Sequence, residues 1–251
     1  MRLLVYNIAY GTGSPGNKWQ LLAGAANYLR TSDRYFNAIA HLVRHYSPDV
    51  AGFLETDNGS MRTGGKSQVA ELARLLQSPL NGRFYTKYAP NSYLSRLPYC
   101  RHQTNALFIR NGAAQSEEVD FMPCGAKRLI LKSVYNNVNI MLVHLALTAA
   151  VRKKQLNYLA TQIHSSEKYI VCGDFNTFGG SKELTRFLRK TRLRSANKLH
   201  QCTYPARNPG KELDYILYSP ELQLKNFRTI KFPGSDHLPL FAEFAEEVNA
   251  E

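Results

Sequence analysis

The sequence predicts a layered α/β sandwich, on two observations. Short apolar runs of strand length alternate with segments whose apolar residues recur every three or four positions, and the runs are joined by both a tight hairpin and helical crossovers. A purely parallel sheet would need crossovers throughout, so mixed sheets are expected. With 251 residues, 44% of them hydrophobic and 20% charged, the chain has an ordinary globular composition and enough apolar surface for a sizeable core. One domain over 1–251 is the expectation for this length.

The first apolar run covers 3–6 and ends at Asn7. A helix follows around 35–43, where Ser32 or Asp33 can cap the start, and Ser47-Pro48-Asp49 turns the chain into a strand over 50–54 that ends at Glu55. Val69, Leu72, Leu75 and Leu76 give 68–77 a helical period, whereas the proline-bearing stretch 78–102 lacks periodicity and reads as irregular loop. Strands are expected over 105–110, 128–134 and 138–146, the last two joined by a turn at Tyr135-Asn136-Asn137. A helix over 152–163, a strand over 168–172, a helix over 182–190 and strands over 213–218 and 239–244 complete the chain.

The net charge of +13 is the compositional outlier, and it points to a polyanionic partner: nucleic acid, or anionic lipid head groups. Its densest sources are Lys182, Arg186, Arg189, Lys190, Arg192 and Arg194, of which Lys182, Arg186 and Arg189/Lys190 share one face of an amphipathic surface helix, and Arg152-Lys153-Lys154. Tyr85-Thr86-Lys87-Tyr88 interleaves aromatic and basic residues, a pattern that can stack on bases or simply pack a loop. The four cysteines, Cys100, Cys124, Cys172 and Cys202, are scattered, which excludes a disulfide framework or a zinc cluster of regular spacing. Gly11-Thr12-Gly13-Ser14-Pro15-Gly16 lacks the rest of a nucleotide-binding fingerprint and reads as a loop at a cleft rim. The apolar start is too short for a secretory leader, and no run reaches the roughly 18 apolar residues of a membrane span, so a soluble, cytoplasmic monomer without a stable protein partner is expected.

Asn7, Glu55, His144, Asp174, Asn176, Asp214, Asp236 and His237 stand at or beside strand ends. Singly each has an ordinary explanation as a cap, a core histidine or an ion-pair partner. As a set they are the groups needed to cut a phosphoester. Hard oxygen ligands hold Mg²⁺ or Mn²⁺, an imidazole takes a proton from water while a carboxylate fixes its tautomer, and an amide donates to a phosphate oxygen or the attacking water.

In sequence order, Leu3-Leu4-Val5-Tyr6-Asn7-Ile8, Pro48 to Glu55, Val143-His144-Leu145, Gly173-Asp174-Phe175-Asn176, Leu213 to Leu217 and Ser235-Asp236-His237-Leu238-Pro239 make the chain resemble the endonuclease/exonuclease/phosphatase superfamily. The resemblance implies a four-layer α/β/β/α sandwich with two central mixed sheets and a divalent-metal-dependent phosphoester hydrolase, most expected as a phosphodiesterase or nuclease. A phospholipid or inositol-phosphate hydrolase is the alternative, and an inactive binding protein of the same fold is a third reading. It implies that Glu55 and Asp236 ligate Mg²⁺ or Mn²⁺, with Asn7 on the metal or its water shell, and that His237 is a general base oriented by Asp214. Asp174 and Asn176 would position or activate the nucleophile, hold a second metal or stabilise the leaving oxygen, and His144 would bind the scissile phosphate or assist the leaving group. Abasic-site endonucleases usually read Gln-Glu-Thr-Lys where this chain reads Leu54-Glu55-Thr56-Asp57, so the resemblance is to the broader bacterial hydrolases. In the central stretch Gln103 to Phe108 only Asn105 and the apolar tail match, and the phosphate-contacting tyrosine is missing.

Overall fold

The computed structural model describes residues 1–13, 31, 33–77, 84–88, 92–98, 100–110, 116–126, 129–232 and 234–245. Ser32 as a helix cap, residues 14–16 of the glycine-rich loop and Arg128 as a strand start lie outside the described residues. The described elements begin with β1 (Arg2–Asn7), α1 (Asp33–Tyr46), β2 (Val50–Asp57), α2 (Gln68–Leu75), β3 (Phe84–Thr86), α3 (Tyr93–Arg96), β4 (Gln103–Ile109) and β5 (Ser116–Phe121). They continue with β6 (Leu129–Tyr135), β7 (Val138–His144), α4 (Ala149–Leu159), β8 (Lys168–Asp174), α5 (Thr185–Thr191), β9 (Arg194–Ser195), β10 (Asp214–Tyr218), β11 (Leu224–Thr229) and β12 (Leu240–Phe244).

Two six-stranded mixed sheets form the centre, in the orders β11-β12-β1-β2-β4-β3 and β5-β6-β7-β8-β10-β9. Alternation along each strand divides the side chains between two faces. In β1, Leu3 and Val5 face the other sheet while Leu4 and Tyr6 face helices, and in β8 Ile170 and Cys172 point inward while Tyr169 and Val171 point out. Three apolar layers result: one between the sheets, one under α1 and α2, and one under α4 and α5. This is the expected four-layer α/β/β/α sandwich. At Gly52 the sheets approach so closely that a Cβ would lie 2.7 Å from Leu142 Cδ1. All four cysteines are free, and burial pushes the Cys172 thiol up to about 12. No helix among the described residues is long and apolar enough to cross a membrane.

The structure corrects several expectations. Residues 78–102 contain β3 and α3, and β5, β9 and β11 are further strands that apolar pattern does not announce. β3, β5, β9 and β11 are the four sheet edges. With only one paired side, they carry polar runs such as Ser116-Glu117-Glu118 instead of apolar ones. The helix expected over 152–163 begins earlier, at Ala149, and 182–190 is a 3₁₀ turn, Ser181–Leu184, followed by α5. Lys182, Arg186, Arg189 and Lys190 are exposed as expected, while Leu184 and Phe187 are buried. Arg152, in contrast, is not a surface cation. It is 1% exposed, bonds Glu183 Oε2 through Nε at 2.8 Å and Nη2 at 2.6 Å, and donates to the Ala146 and Leu147 carbonyls, tying α4 to the turn before α5.

Candidate active site

β1 runs parallel to β2, and β7 runs parallel to β8, so the C-terminal ends of each pair lie together. In the second sheet, His144 is in register with Asp174 and Asp174 with Asp214, a row across three adjacent strands. Strand parity turns all three toward the first sheet, because Leu142, Cys172 and Ile216, each two residues away, belong to the inter-sheet layer. Asn7 follows Val5 at the same spacing and comes from the opposite side. The four side chains therefore converge where the sandwich opens at one end.

Asp174 is the junction. Its Oδ2 accepts from Asn7 Nδ2 at 3.2 Å and lies 3.3 Å from His144 Nε2, while Oδ1 accepts from the Asn176 amide N–H at 2.9 Å. Asn176 has φ +52° and donates its own Nδ2 to the Leu145 carbonyl at 2.8 Å, fixing the turn that follows β8. Gly173 makes the approach of β8 to β7 feasible: its φ is +132°, and a Cβ would sit 2.0 Å from the Val143 carbonyl oxygen.

His237 closes the row from the loop before β12. Its Nδ1 lies 2.8 Å from Asp214 Oδ2, which also accepts from Thr203 Oγ1 at 2.6 Å, and its Nε2 is 3.9 Å from Asp174 Oδ2. Ser235 Oγ donates to the Asn7 carbonyl at 2.7 Å, and Leu238 N to the Thr203 carbonyl, so the loop is held by both β1 and the segment before β10. The Tyr204 ring, 5.0 Å from the imidazole, covers its outer side. Burial acts to lower the His237 pKa, but Asp214, Asp174 and Asp236 outweigh it and push it up to about 10.

In the cation-free protein, protonated His237 is therefore expected to stabilise the fold. This contribution is complete below the ordinary imidazole value of 6.5 and is lost as pH rises through about 10. In a chelator, thermal unfolding of the parent is expected to lose stability across that window, and His237→Gln to flatten the loss. Equal slopes for parent and variant would contradict the assignment.

Glu55 breaks the parity of β2. It has φ +53° and lies where the β2–β4 register shifts between Phe53 and Thr56, a bulge of the kind that re-aims a side chain. Asn105 Oδ1 accepts the Glu55 backbone N–H at 3.2 Å and so holds the bulge. Burial is the main cause of a raised Asp236 pKa, and the Glu55 charge raises it further. Carboxylates are hard-oxygen donors, the type that a divalent cation takes. The ligand atoms of Asp174, Asp214 and His237 also lie within 4.8 Å of one another. In that group Asp214 Oδ2 is already engaged by Thr203 and His237.

Sequence reasoning missed a cluster behind Glu55. Lys87, 2% exposed, places Nζ 3.3 Å from Glu55 Oε1 and also on the Tyr10 hydroxyl, and the buried Arg62 guanidinium stacks 4.0 Å above the Tyr10 ring. The residue that departs from the repair-enzyme motif, Asp57, caps the turn carrying Arg62 by accepting from Ser60 N and Oγ. Only the aromatic–basic alternation at 85–88 hinted at this cluster, as a segment that either stacks on bases or packs a loop, and Lys87 and Tyr88 follow the packing alternative. Lys87 is buried, and Tyr88 donates its hydroxyl to Gln103 Oε1 at 2.9 Å.

No curated protein matches the sequence. Among solved structures, the human Nocturnin catalytic domain with bound sulfate anion is 20% identical with a TM-score of 0.70, the alignment covering 98% of this chain and 94% of that one. An endonuclease/exonuclease/phosphatase from Beutenbergia cavernae is 15% identical with a TM-score of 0.72, covering 97% and 71%. Truncated TDP2 from Caenorhabditis elegans is 15% identical with a TM-score of 0.64, covering 98% and 97%. At these identities the likeness is one of fold. The sequence itself matches the profile of a family of phosphoester hydrolases over residues 4–237. On that match across nearly its whole length, the chain belongs to the Endonuclease/Exonuclease/phosphatase family.

Proposed function

We propose that this chain is a divalent-cation-dependent phosphodiesterase in which His237 activates water. The observation that supports it most is the His237–Asp214 pair at 2.8 Å, set beside the Asp174–His144 row and facing Asn7. In the neutral imidazole, with Nδ1–H donated to Asp214, Nε2 is the proton acceptor and Asp214 stabilises the imidazolium that forms; a cation held by Glu55 and Asp236 would offset the carboxylate charge that otherwise keeps His237 protonated. Asp174 and Asn176 orient the nucleophile or the leaving oxygen, and His144 binds the scissile phosphate or assists the leaving group. Glu55 and Asp236, with Asn7 on the ion or its water shell, would hold Mg²⁺ or Mn²⁺, which supplies charge neutralisation at the phosphate. Lys87 holds the Glu55 carboxylate from behind. The charge of +13 supports a polyanionic substrate, with nucleic acid the first class to assay and phospholipid or inositol phosphate the second.

The test is hydrolysis of bis(p-nitrophenyl) phosphate with Mg²⁺ or Mn²⁺, against a chelator control. Glu55→Gln is expected to raise the cation concentration for half-maximal rate by at least roughly tenfold, at unchanged fold by circular dichroism. A folded variant with the parent's cation dependence would remove Glu55 from the ligand set.

A further inference from the structure

Ala149, Lys153, Leu156 and Ala160 recur at three- and four-residue spacing, as do Glu183, Arg186 and Lys190, so that each set shares one side of α4 or of the turn and helix at α5. Between these two sides is a cavity of about 420 Å³, within the roughly 300–1,000 Å³ of sites that take small organic ligands. Its floor is apolar, made by the buried Leu156, Ala160 and Phe187. The lining of α4 extends from Ala149 to Ala160, about 16 Å at the helical rise, so the trough is elongated. It is separate from the active site. Leu156, Ala160 and Phe187 belong to the apolar layer on the outer face of the second sheet, whereas His144, Asp174 and Asp214 turn toward the first sheet.

Charge selects the occupant. Lys153 on the α4 rim and Arg186 and Lys190 on the α5 rim are exposed, and no ion pair engages any of the three among the described residues. The one carboxylate of the lining, Glu183, is already used. Its Oε2 accepts from Arg152 at 2.6 and 2.8 Å, and its Oε1 accepts the Gly179 N–H at 2.7 Å, an approach that leaves no room for a Cβ at Gly179. The trough therefore combines an apolar floor with uncompensated positive charge on both rims. We propose that the α4–α5 groove is a second ligand site of this chain, one that takes a carboxylate carrying an extended apolar chain. The chain lies along Leu156, Ala160 and Phe187, and the carboxylate is held by Lys153, Arg186 and Lys190. A bare phosphate would use the cations and leave the floor in water. A neutral chain would bury the floor and leave the cations without a partner, whereas an amphipathic carboxylate satisfies both.

The experiment titrates the full chain with octanoate, 1-octanol and inorganic phosphate, followed by NMR on the α4 amide and Leu156 methyl resonances. Two double variants carry the same change in charge. Lys153→Glu/Arg186→Glu alters the rims, and Lys154→Glu/Arg189→Glu alters exposed cations of the same two helices outside the cavity. The parent is expected to bind octanoate at least roughly tenfold more tightly than octanol or phosphate. The rim variant should lose about tenfold or more of that affinity, the worth of one charge-assisted contact, while the other double variant keeps it. Ala149→Trp fills one end of the trough from an exposed position with every cation in place, and it should weaken octanoate by a similar factor. The proposal is overturned if the parent binds no octanoate or if octanol or phosphate binds as tightly. It is equally overturned if both double variants weaken octanoate alike, which would make the attraction one of net charge, or if Ala149→Trp binds as the parent does.

Discussion

Replacing His237 with alanine is expected to slow cation-supported hydrolysis of a generic phosphodiester by roughly 10² to 10⁴-fold, the usual worth of a positioned general base. The substitution removes the only imidazole bonded to Asp214 among the described residues, while Thr203 continues to donate to that carboxylate at 2.6 Å. Asp214 therefore keeps one strong partner, and the fold should survive. Because Asp214 acts through His237, the double variant His237→Ala/Asp214→Ala is expected to be no slower than His237→Ala alone. Single-turnover rates for the four proteins, with circular dichroism as the folding control, decide the matter. A folded His237→Ala protein as fast as the parent would end the assignment, and additive losses would separate Asp214 from the imidazole.

Gly173→Ala is expected to produce the largest stability loss of any methyl-sized change near the site, about 3–5 kcal/mol, from left-handed backbone strain together with overpacking. A Cβ there would meet the Val143 carbonyl oxygen at 2.0 Å, and that atom is backbone, not the end of a side chain that can swing aside. To make room, β8 must move away from β7, which separates His144 from Asp174 in the row that defines the site. Urea denaturation and the phosphodiester rate should therefore fall together. A variant that unfolds at the parent's urea midpoint would mean that the close approach of the two strands is not maintained in solution.

The eight inner strands were legible in the sequence because each is apolar on both faces, and that pattern is local. The four edges were not, since a strand paired on one side needs no apolar pattern, as the polar Ser116-Glu117-Glu118 in β5 illustrates. The same limit applies to single charges. Arg152 and Lys87 look like solvated cations in sequence, yet each is buried against a carboxylate, Glu183 and Glu55, which lie 31 and 32 residues away. Burial of a charge depends on a partner delivered by the rest of the fold.

By itself, then, the sequence determined which residues end the inner strands in polar groups, and through them the family and its phosphoester chemistry. The tertiary structure alone decided that His144, Asp174 and Asp214 form one row, that a bulge re-aims Glu55, and that a loop next to β12 brings His237 onto Asp214. The reason is that side-chain type and periodicity are properties of neighbouring residues. Register, bulge position and the meeting of two sheets are set by packing between segments as far apart as Asn7 and Ser235, which are joined by a 2.7 Å hydrogen bond.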